Sequence, residues 1–293
     1  MNKKGFLGNL KLYLIFAGPI TLVFFLVIVL PFISGIYYTL TDWDGISSSI
    51  SFVGLTNYIE MLKDSAFWES ILITLKYVFF SVLFINIIAF SLAYILTRGI
   101  FGQNIFRTFF FAPNLIGGII LGLLWNFIFS TILVYIGDSL GIEMLAKSWL
   151  GSSEMALWAL VVGAIWQYSG YMMIIYIAGF MTLPNDVMEA SVIDGANDFV
   201  KLKSIIVPLM IPSIVICIFL SVQRAFMVYD VNLSLTKGGP YNSTKLASMY
   251  VYEKAFVENN YGVGQSQAFF IFFVVALITV LQVFYFKKLE VEM

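Results

Sequence analysis

The residues best suited to chemistry in this sequence lie in one polar run, positions 184–209, between two apolar stretches. Asp186 and Glu189 stand three residues apart, the spacing of a capping pair at a helix start. This spacing predicts a short helix over residues 187–194. The helix should stop at Gly195, because glycine adopts the left-handed conformation of a helix end without strain. The run holds no catalytic set of groups, so it is either an ordinary loop between two membrane helices or a surface that a partner protein binds.

A helix of about eight residues is marginal in water and needs a surface to pack on. Val187, Ala190, Ser191 and Asp194 share one face of the predicted helix, and larger apolar side chains lie on its other faces. Two interpretations follow from this pattern. The helix packs on the ends of this protein's own helices, or it fits a groove in a partner protein.

Several kinds of site are excluded by residue types that the sequence lacks. It contains no histidine, and its single cysteine, Cys217, lies in an apolar run. Histidine acid–base catalysis, disulfides within the chain and Cys/His zinc sites are therefore excluded. No GxxxxGK[ST] motif occurs, so we expect no cofactor in this chain and no ATP bound through a P-loop of its own. A net charge of −1 gives no electrostatic case for nucleic acid. We predict that the protein is not an enzyme.

The composition indicates that lipid is the natural solvent of this chain. Hydrophobic residues make up 60% and charged residues 11%, whereas soluble domains have about 45–50% and about 25%. The first apolar stretch follows three lysines, so a signal peptide is an alternative for it. That stretch is longer than a signal-peptide core, and no small-residue cleavage site closes it. We therefore interpret it as a retained helix.

Six apolar stretches are long enough to cross about 30 Å of hydrocarbon. The predicted fold is an all-α polytopic membrane protein with six transmembrane helices in a single domain over 1–293. The predicted spans lie near residues 12–38, 70–97, 107–130, 154–180, 205–229 and 266–286. A short helix around 244–257 is expected in the longest outer loop.

The distribution of Lys and Arg predicts the orientation, because basic residues concentrate on the cytoplasmic side. The connections on one side are shorter and carry more basic residues than those on the other. The basic residues of that side are Lys3, Lys4, Lys11, Arg98, Arg107, Lys201, Lys203, Lys287 and Lys288. We therefore expect both termini and the polar run 184–209 to be cytoplasmic.

Polar residues within the predicted spans mark a second candidate site, since such groups are costly in lipid and usually face protein or water. They are Asn86, Gln167, Ser221, Gln223 and Arg224. Such groups also hold neighbouring helices together. Arg224 lies toward the outer end of its span, and an arginine there can simply extend to the membrane interface.

The order of residues in the polar run resembles the EAA loop of ABC-importer permeases. Glu189-Ala190-Ser191 is followed after three residues by Gly195 and later by Ile206-Val207-Pro208. Ser191 replaces the second Ala of the family motif, and I-V-P replaces its last element. Other segments are similar to maltose-, lactose- and multiple-sugar-type permeases: Phe52 to Tyr58, Arg107 to Pro113, Trp166 with Tyr171 to Met173, Thr236 to Pro240, and Tyr252 to Phe256. Resemblance thus extends over nearly the whole chain.

The resemblance implies the type I (MetI-like) importer permease fold and a division of labour among subunits. A second homologous permease completes the pathway, two copies of a cytoplasmic ATPase bind ATP and Mg²⁺, and a sugar-binding protein docks outside. The setting that it implies is a bacterial cytoplasmic membrane, with the loop 184–209 coupling this chain to an ATPase. The residues that it assigns to coupling are Glu189, Ala190, Ser191, Asp194 and Gly195.

The resemblance also implies a sugar pathway along the middle of the fourth and fifth spans. The matching positions are Gln167, Tyr168, Tyr171, Ser221, Arg224, Ala225 and Val228. Gln and Arg offer hydrogen bonds to hydroxyl groups, and Tyr rings stack on sugar faces. Arg224 alternatively indicates an acidic sugar such as a uronide, because arginine binds carboxylates well.

Two other classes of transporter are alternatives to this prediction. An ABC permease for a non-sugar substrate shares the EAA loop, but the segment Thr236 to Pro240 favours the carbohydrate branch. A stand-alone secondary transporter usually carries carboxylates at mid-membrane. Here the carboxylates lie in loops or at helix ends, including Asp230. The sequence therefore favours an ATP-driven sugar importer, with the identity of the sugar left open.

Overall fold

The computed structural model describes residues 12–287, and this part of the chain is all-α, as predicted. Its only extended pairing within the described range is an isolated antiparallel bridge between Thr41 and Phe52. Four of the basic residues that predict the orientation, Lys3, Lys4, Lys11 and Lys288, lie outside the described residues.

Twelve helices are numbered here in chain order. They are α1 Gly18–Tyr38, α2 Thr56–Lys63, α3 Ser65–Leu96, α4 Gln103–Phe111, α5 Gly118–Leu140, α6 Ser153–Phe180, α7 Asn185–Ile193, α8 Asp198–Leu209, α9 Ile211–Phe226, α10 Asp230–Leu235, α11 Ala247–Tyr252 and α12 Tyr261–Lys287. Short turns lie at Ala112–Leu115, Glu143–Ala146 and Trp149–Gly151. Residues 12–16 are helical before α1, and a π-helical turn, Glu253–Val257, follows α11.

Five of these helices, α1, α3, α5, α6 and α12, are long and apolar enough to cross a membrane. Helices α8 and α9, bent by 71° to each other, pass the same criterion as a pair, so the pair counted as one span is the sixth candidate. The six spans expected from the sequence correspond to these elements. The helix expected around 244–257 corresponds to α11 and the turn that follows it.

The third span differs from the predicted range of 107–130. The apolar helix α5 runs from Gly118 to Leu140, and residues 103–111 form the separate helix α4. The break follows from Pro113, which has no N–H for a helical hydrogen bond. The chain forms a 3₁₀ turn there and becomes extended at Gly117 before α5 begins.

The bend in the fifth span lies at Met210 between two prolines. Pro212 stands at the first turn of α9, where proline is tolerated. Its ring clashes with the carbonyl four residues earlier, that of Pro208, in any continuous helix. Two helices at an angle replace a straight span for this reason, and the first of them, α8, forms the last part of the polar run.

The chain divides into two compact units, and the prediction of one domain over 1–293 stays a prediction. The first unit comprises the described residues up to Asp64 with Val251–Phe270. In this unit the buried Asn57 amide donates to the carbonyls of Thr39 and Thr41, at 2.9 and 2.8 Å. Trp43 stacks on Tyr38 with ring centroids 4.5 Å apart. These contacts fix the chain after α1.

The second unit comprises Ser65–Tyr250 and the residues from Ile271 onward, and its core is the contact of α3 with α6 and α9. One polar cluster joins the three helices. Tyr176 donates to the Asn86 side-chain oxygen at 2.8 Å, and the Asn86 amide donates to Ser221 Oγ at 2.9 Å. Hydrogen bonds of this kind hold helices together in a membrane, because apolar helix surfaces gain little by leaving equally apolar lipid.

The short helix α10 packs against the start of α5 through glycine. A Cβ on Gly122 would lie 3.0 Å from the backbone nitrogen of Leu235 and 2.9 Å from Cβ of Ser234. The absence of a side chain therefore lets the two backbones approach closely, as small residues do at helix contacts in membranes.

We predict that Gly122→Ala destabilises the protein by about 1–3 kcal/mol, because the added methyl group overpacks the contact between α5 and α10. Detergent-solubilised protein titrated with a denaturing detergent measures this. Gly117→Ala is the matched control, since a Cβ there has no atom within 4 Å. Equal stability of the two variants would contradict the close approach.

Candidate functional site

The polar run forms a helical loop on one end of the second unit. Helix α7 begins after Pro184 without a side-chain cap, so the predicted capping role of Asp186 is wrong, and this residue lies in the first turn. The helix ends in a Schellman motif. Ala196 N–H donates to the Ser191 carbonyl at 3.0 Å, and Gly195 N–H donates to the Val192 carbonyl at 3.1 Å.

Gly195 supplies the left-handed residue that this motif requires, with φ of +71°. Asn197 then starts α8, because its side-chain oxygen accepts a hydrogen bond from Val200 N–H at 2.9 Å. The two short helices are thus set at a fixed turn by local hydrogen bonds. The predicted stop at Gly195 is confirmed.

The predicted coupling residues do not all face the same way. Glu189, Ala190, Asp194 and Gly195 are exposed. Ser191 is buried, and its hydroxyl donates to the Met188 carbonyl at 2.6 Å. Ser191 therefore packs the loop against its own protein, and its four companions form the outward surface.

Large apolar side chains are exposed at the end of α7. Val192 is 63% exposed and Ile193 is 84% exposed, next to the charged Glu189 and Asp194. Exposed apolar side chains on a short helix are typical of a helix that binds in a groove of another protein.

A cavity of about 480 Å³ lies among α5, α6, α9 and α10 and contains four of the seven predicted pathway residues. These are Gln167, Tyr168, Arg224 and Val228. Gln167 and Tyr168 lie near the middle of α6. The Gln167 amide donates to the Ile116 carbonyl at 3.2 Å, which fixes its side chain at the cavity wall.

Arg224 is held by aromatic rings and an amide. Its guanidinium carbon lies 4.9 Å from the ring centroid of Tyr168 and 4.8 Å from that of Tyr171. It also donates to Asn114 Oδ1 at 3.3 Å. Cation–π contact and the amide therefore hold the half-buried guanidinium against neighbouring side chains of the protein.

The remaining predicted pathway residues lie outside the cavity wall. Tyr171 contributes through Arg224, as the second ring beneath its guanidinium. Ser221 is 2% exposed and bonded to Asn86, and Ala225 is 4% exposed. Both face the helix contacts of the second unit because they lie on the side of α9 that packs on its neighbours.

Sequence reasoning left out several residues that the cavity includes. They are Gly118, Leu220, Met227, Tyr229, Asp230 and Val231. Gln223 also lines the cavity; it is one of the polar span residues named from the sequence, but it was not among the seven predicted pathway positions. Gln223 and Asp230 are the polar members. Tyr229 and Asp230, an aromatic and a charged residue at the outer end of the predicted fifth span, were the available signal in the sequence. Among the described residues, no group of three or more His, Cys, Asp or Glu side chains is placed to hold a metal ion.

Comparison with known proteins agrees with this architecture. Residues 85–287 match the family described as "Binding-protein-dependent transport system inner membrane component". The probable starch degradation products transport system permease protein AmyD of Thermoanaerobacterium thermosulfurigenes is 41% identical over 99% of both chains. The multiple sugar-binding transport system permease protein MsmF of Streptococcus mutans is 31% identical over 89% of this chain and 90% of its own.

Solved structures show the same fold at lower identity. A bacterial ABC transporter involved in the import of the acidic polysaccharide alginate contains a chain that aligns with a TM-score of 0.81 and 17% identity. The alignment covers 98% of this chain and 96% of that one. With a polar cavity among its spans, a helical loop at one end and these relatives, the chain belongs to the family of inner-membrane components of binding-protein-dependent transport systems.

Proposed function

We propose that this chain is the permease subunit of an ATP-driven importer that moves a neutral oligosaccharide into the cytoplasm. The observation that carries the proposal is the cavity built around Gln167, Tyr168 and Arg224. It supplies amide and charged hydrogen-bonding groups beside aromatic rings, which is the combination that suits a ring of hydroxyl-bearing carbons.

Charge within the cavity favours a neutral sugar over a uronic one. Asp230 lines the same cavity as Arg224, so a substrate carboxylate would meet a carboxylate as well as a guanidinium. Arg224 is moreover already engaged by Asn114 and two tyrosine rings. Starch degradation products, the substrates in the name of a 41% identical relative, are neutral glucans and fit this cavity chemistry.

In this proposal, α7 couples ATP hydrolysis to transport by binding the ATPase. Glu189 and Asp194 present negative charge, and Val192 and Ile193 present apolar surface, for insertion into a groove of a cytoplasmic ATPase. ATP and Mg²⁺ are bound by two copies of that ATPase, which hydrolyse the nucleotide. This chain supplies no catalytic group to the reaction.

A second, homologous permease completes the pathway, and a sugar-binding protein delivers the substrate from outside. An alginate ABC transporter of the same fold has been solved with an alginate pentasaccharide-bound periplasmic protein, which supports this arrangement. Both termini and the loop between α6 and α9 lie on the cytoplasmic side, where basic residues concentrate.

Affinity purification from native membranes tests the proposal directly. The tagged chain should co-purify with one other permease and an ABC ATPase. Native mass spectrometry should detect a neutral glycan. Recovery of this chain by itself, or in a complex that contains no ATPase, would contradict the proposal.

Arg224→Gln should lower ATP-dependent uptake of neutral malto-oligosaccharides by about 5–30-fold, equivalent to about 1–2 kcal/mol of lost cation–π and hydrogen-bond contact. Uptake relative to wild type is measured in complexes that carry the same binding protein, so selection by that protein cancels. Arg224→Lys keeps the charge but loses the planar fork and should be intermediate. A variant that loses uptake of uronic oligosaccharides alone would indicate an acidic substrate.

Gly195→Val should leave the complex assembled but lower uptake by about tenfold, because a β-branched residue is strained at positive φ and the Schellman motif opens. Co-purification with the ATPase and the midpoint of thermal unfolding report assembly, and sugar uptake reports coupling. Gly195→Asn is the matched control, since asparagine tolerates the left-handed region. Uptake by the valine variant equal to wild type would remove the coupling role of this turn.

A further inference from the structure

A second, smaller cavity lies beneath the helical loop and is separate from the cavity that contains Arg224. Its volume is about 280 Å³. Its walls come from the end of α3, the end of α6 and both short helices of the loop. The lining residues are Tyr94, Thr97, Arg98, Phe180, Leu183, Asn185, Met188, Asp198, Lys201 and Ile206.

One ion pair joins the two sides of this cavity. The Arg98 guanidinium donates to Asp198 Oδ2 at 3.1 Å. Arg98 also lies over the ring of Tyr94, 4.3 Å from its centroid, and its guanidinium contacts the Tyr94 hydroxyl. The hydrogen bond to Asp198 raises the pKa of the guanidinium above its usual value.

Each partner is fixed on its own side. Arg98 stands two residues after the end of α3 and is steadied by the Tyr94 ring one turn earlier. Asp198 is the first residue of α8, directly after the Asn197 cap that sets the turn from Gly195. A carboxylate at the start of a helix is also favoured by the helix dipole.

The ion pair makes a connection that the chain itself does not make. The loop is joined covalently to α6 at one end and to α9 at the other, whereas α3 is separated from it in sequence by α4, α5 and α6. Helix α3 packs along both α6 and α9 and carries Asn86 of the polar cluster. The ion pair therefore adds a direct contact between the loop and the one helix of the three that the loop does not join covalently.

We propose that Arg98 and Asp198 form a tether that positions the coupling loop on α3 and transmits its movement to that helix. The inference rests on the proposed function, in which an ATPase moves the loop. Both side chains are exposed, at 49% and 70%, so the tether adds little to folding stability. We expect the tether to affect the amount of sugar transported per ATP hydrolysed.

The test uses the complete transporter, with both permeases, the ATPase and the binding protein, reconstituted in vesicles. Arg98→Gln and Asp198→Asn should each lower sugar transported per ATP by about two- to fivefold, the range of an exposed ion pair. The double variant should lose no more than either single variant, because both remove the same contact. Thermal unfolding midpoints should remain at the wild-type value.

The dependence of transport on ionic strength distinguishes an ion pair from a purely structural contact, because salt weakens only the former. High salt should narrow the difference between the wild type and Arg98→Gln in sugar transported per ATP, because screening weakens an ion pair that only the wild type has. Effects of salt on docking of α7 are common to both proteins and cancel in that difference. Lys201→Gln is the matched control, since Lys201 lines the same cavity outside the ion pair. It should keep the wild-type ratio.

Three results would overturn the tether: wild-type ratios in both single variants, additive losses in the double variant, or an equal loss in Lys201→Gln. Each is read against a wild-type complex that transports sugar with ATP. A wild-type complex without ATP-dependent uptake would instead contradict the proposed function, so the two failures are distinguishable.

Discussion

Hydrocarbon offers no hydrogen-bond partner to a polar group, so every backbone amide in a span must be satisfied within its own helix or by a neighbour. The spans of this protein are helical for that reason, and their breaks occur where proline removes an amide, at Pro113 and between Pro208 and Pro212. The same constraint turns Asn86, Tyr176 and Ser221 toward one another. It also places the Arg224 guanidinium over two rings rather than in lipid.

Two polar sites result, and they suit different tasks. One is a cavity inside the bundle, with a cation, a carboxylate and amides among aromatic rings. The other is an exposed helix at the loop, fixed by a glycine turn and carrying apolar side chains in the open. The bent pair α8 and α9 connects the loop to the cavity along the chain. Helix α3 packs on both α6 and α9, which line the cavity. In the proposed function, these packed helices would carry movement of the loop to the helices that line the cavity.

Local signals predicted where the loop helix ends, but they predicted neither its start nor the burial of Ser191, and they predicted only part of the cavity. The helix end at Gly195 could be predicted because its cause, a left-handed residue, lies within the motif itself. The orientation of Ser221 and Ala225 could not, because it depends on how α9 is rotated against α3 and α6. The Asn114 partner of Arg224 is 110 positions away in the chain. The end of α5 at Leu140 was missed because an apolar stretch does not mark where its helix stops.

The central claim is that ATP hydrolysed on a partner drives sugar through this chain. Vesicles that contain both permeases and the ATPase, supplied with loaded binding protein outside and ATP at the nucleotide sites, measure it directly. We expect malto-oligosaccharide uptake that requires ATP, the ATPase and the second permease, and that is unaffected when ion gradients are collapsed. Uptake by this chain alone in response to a proton or sodium gradient would contradict it.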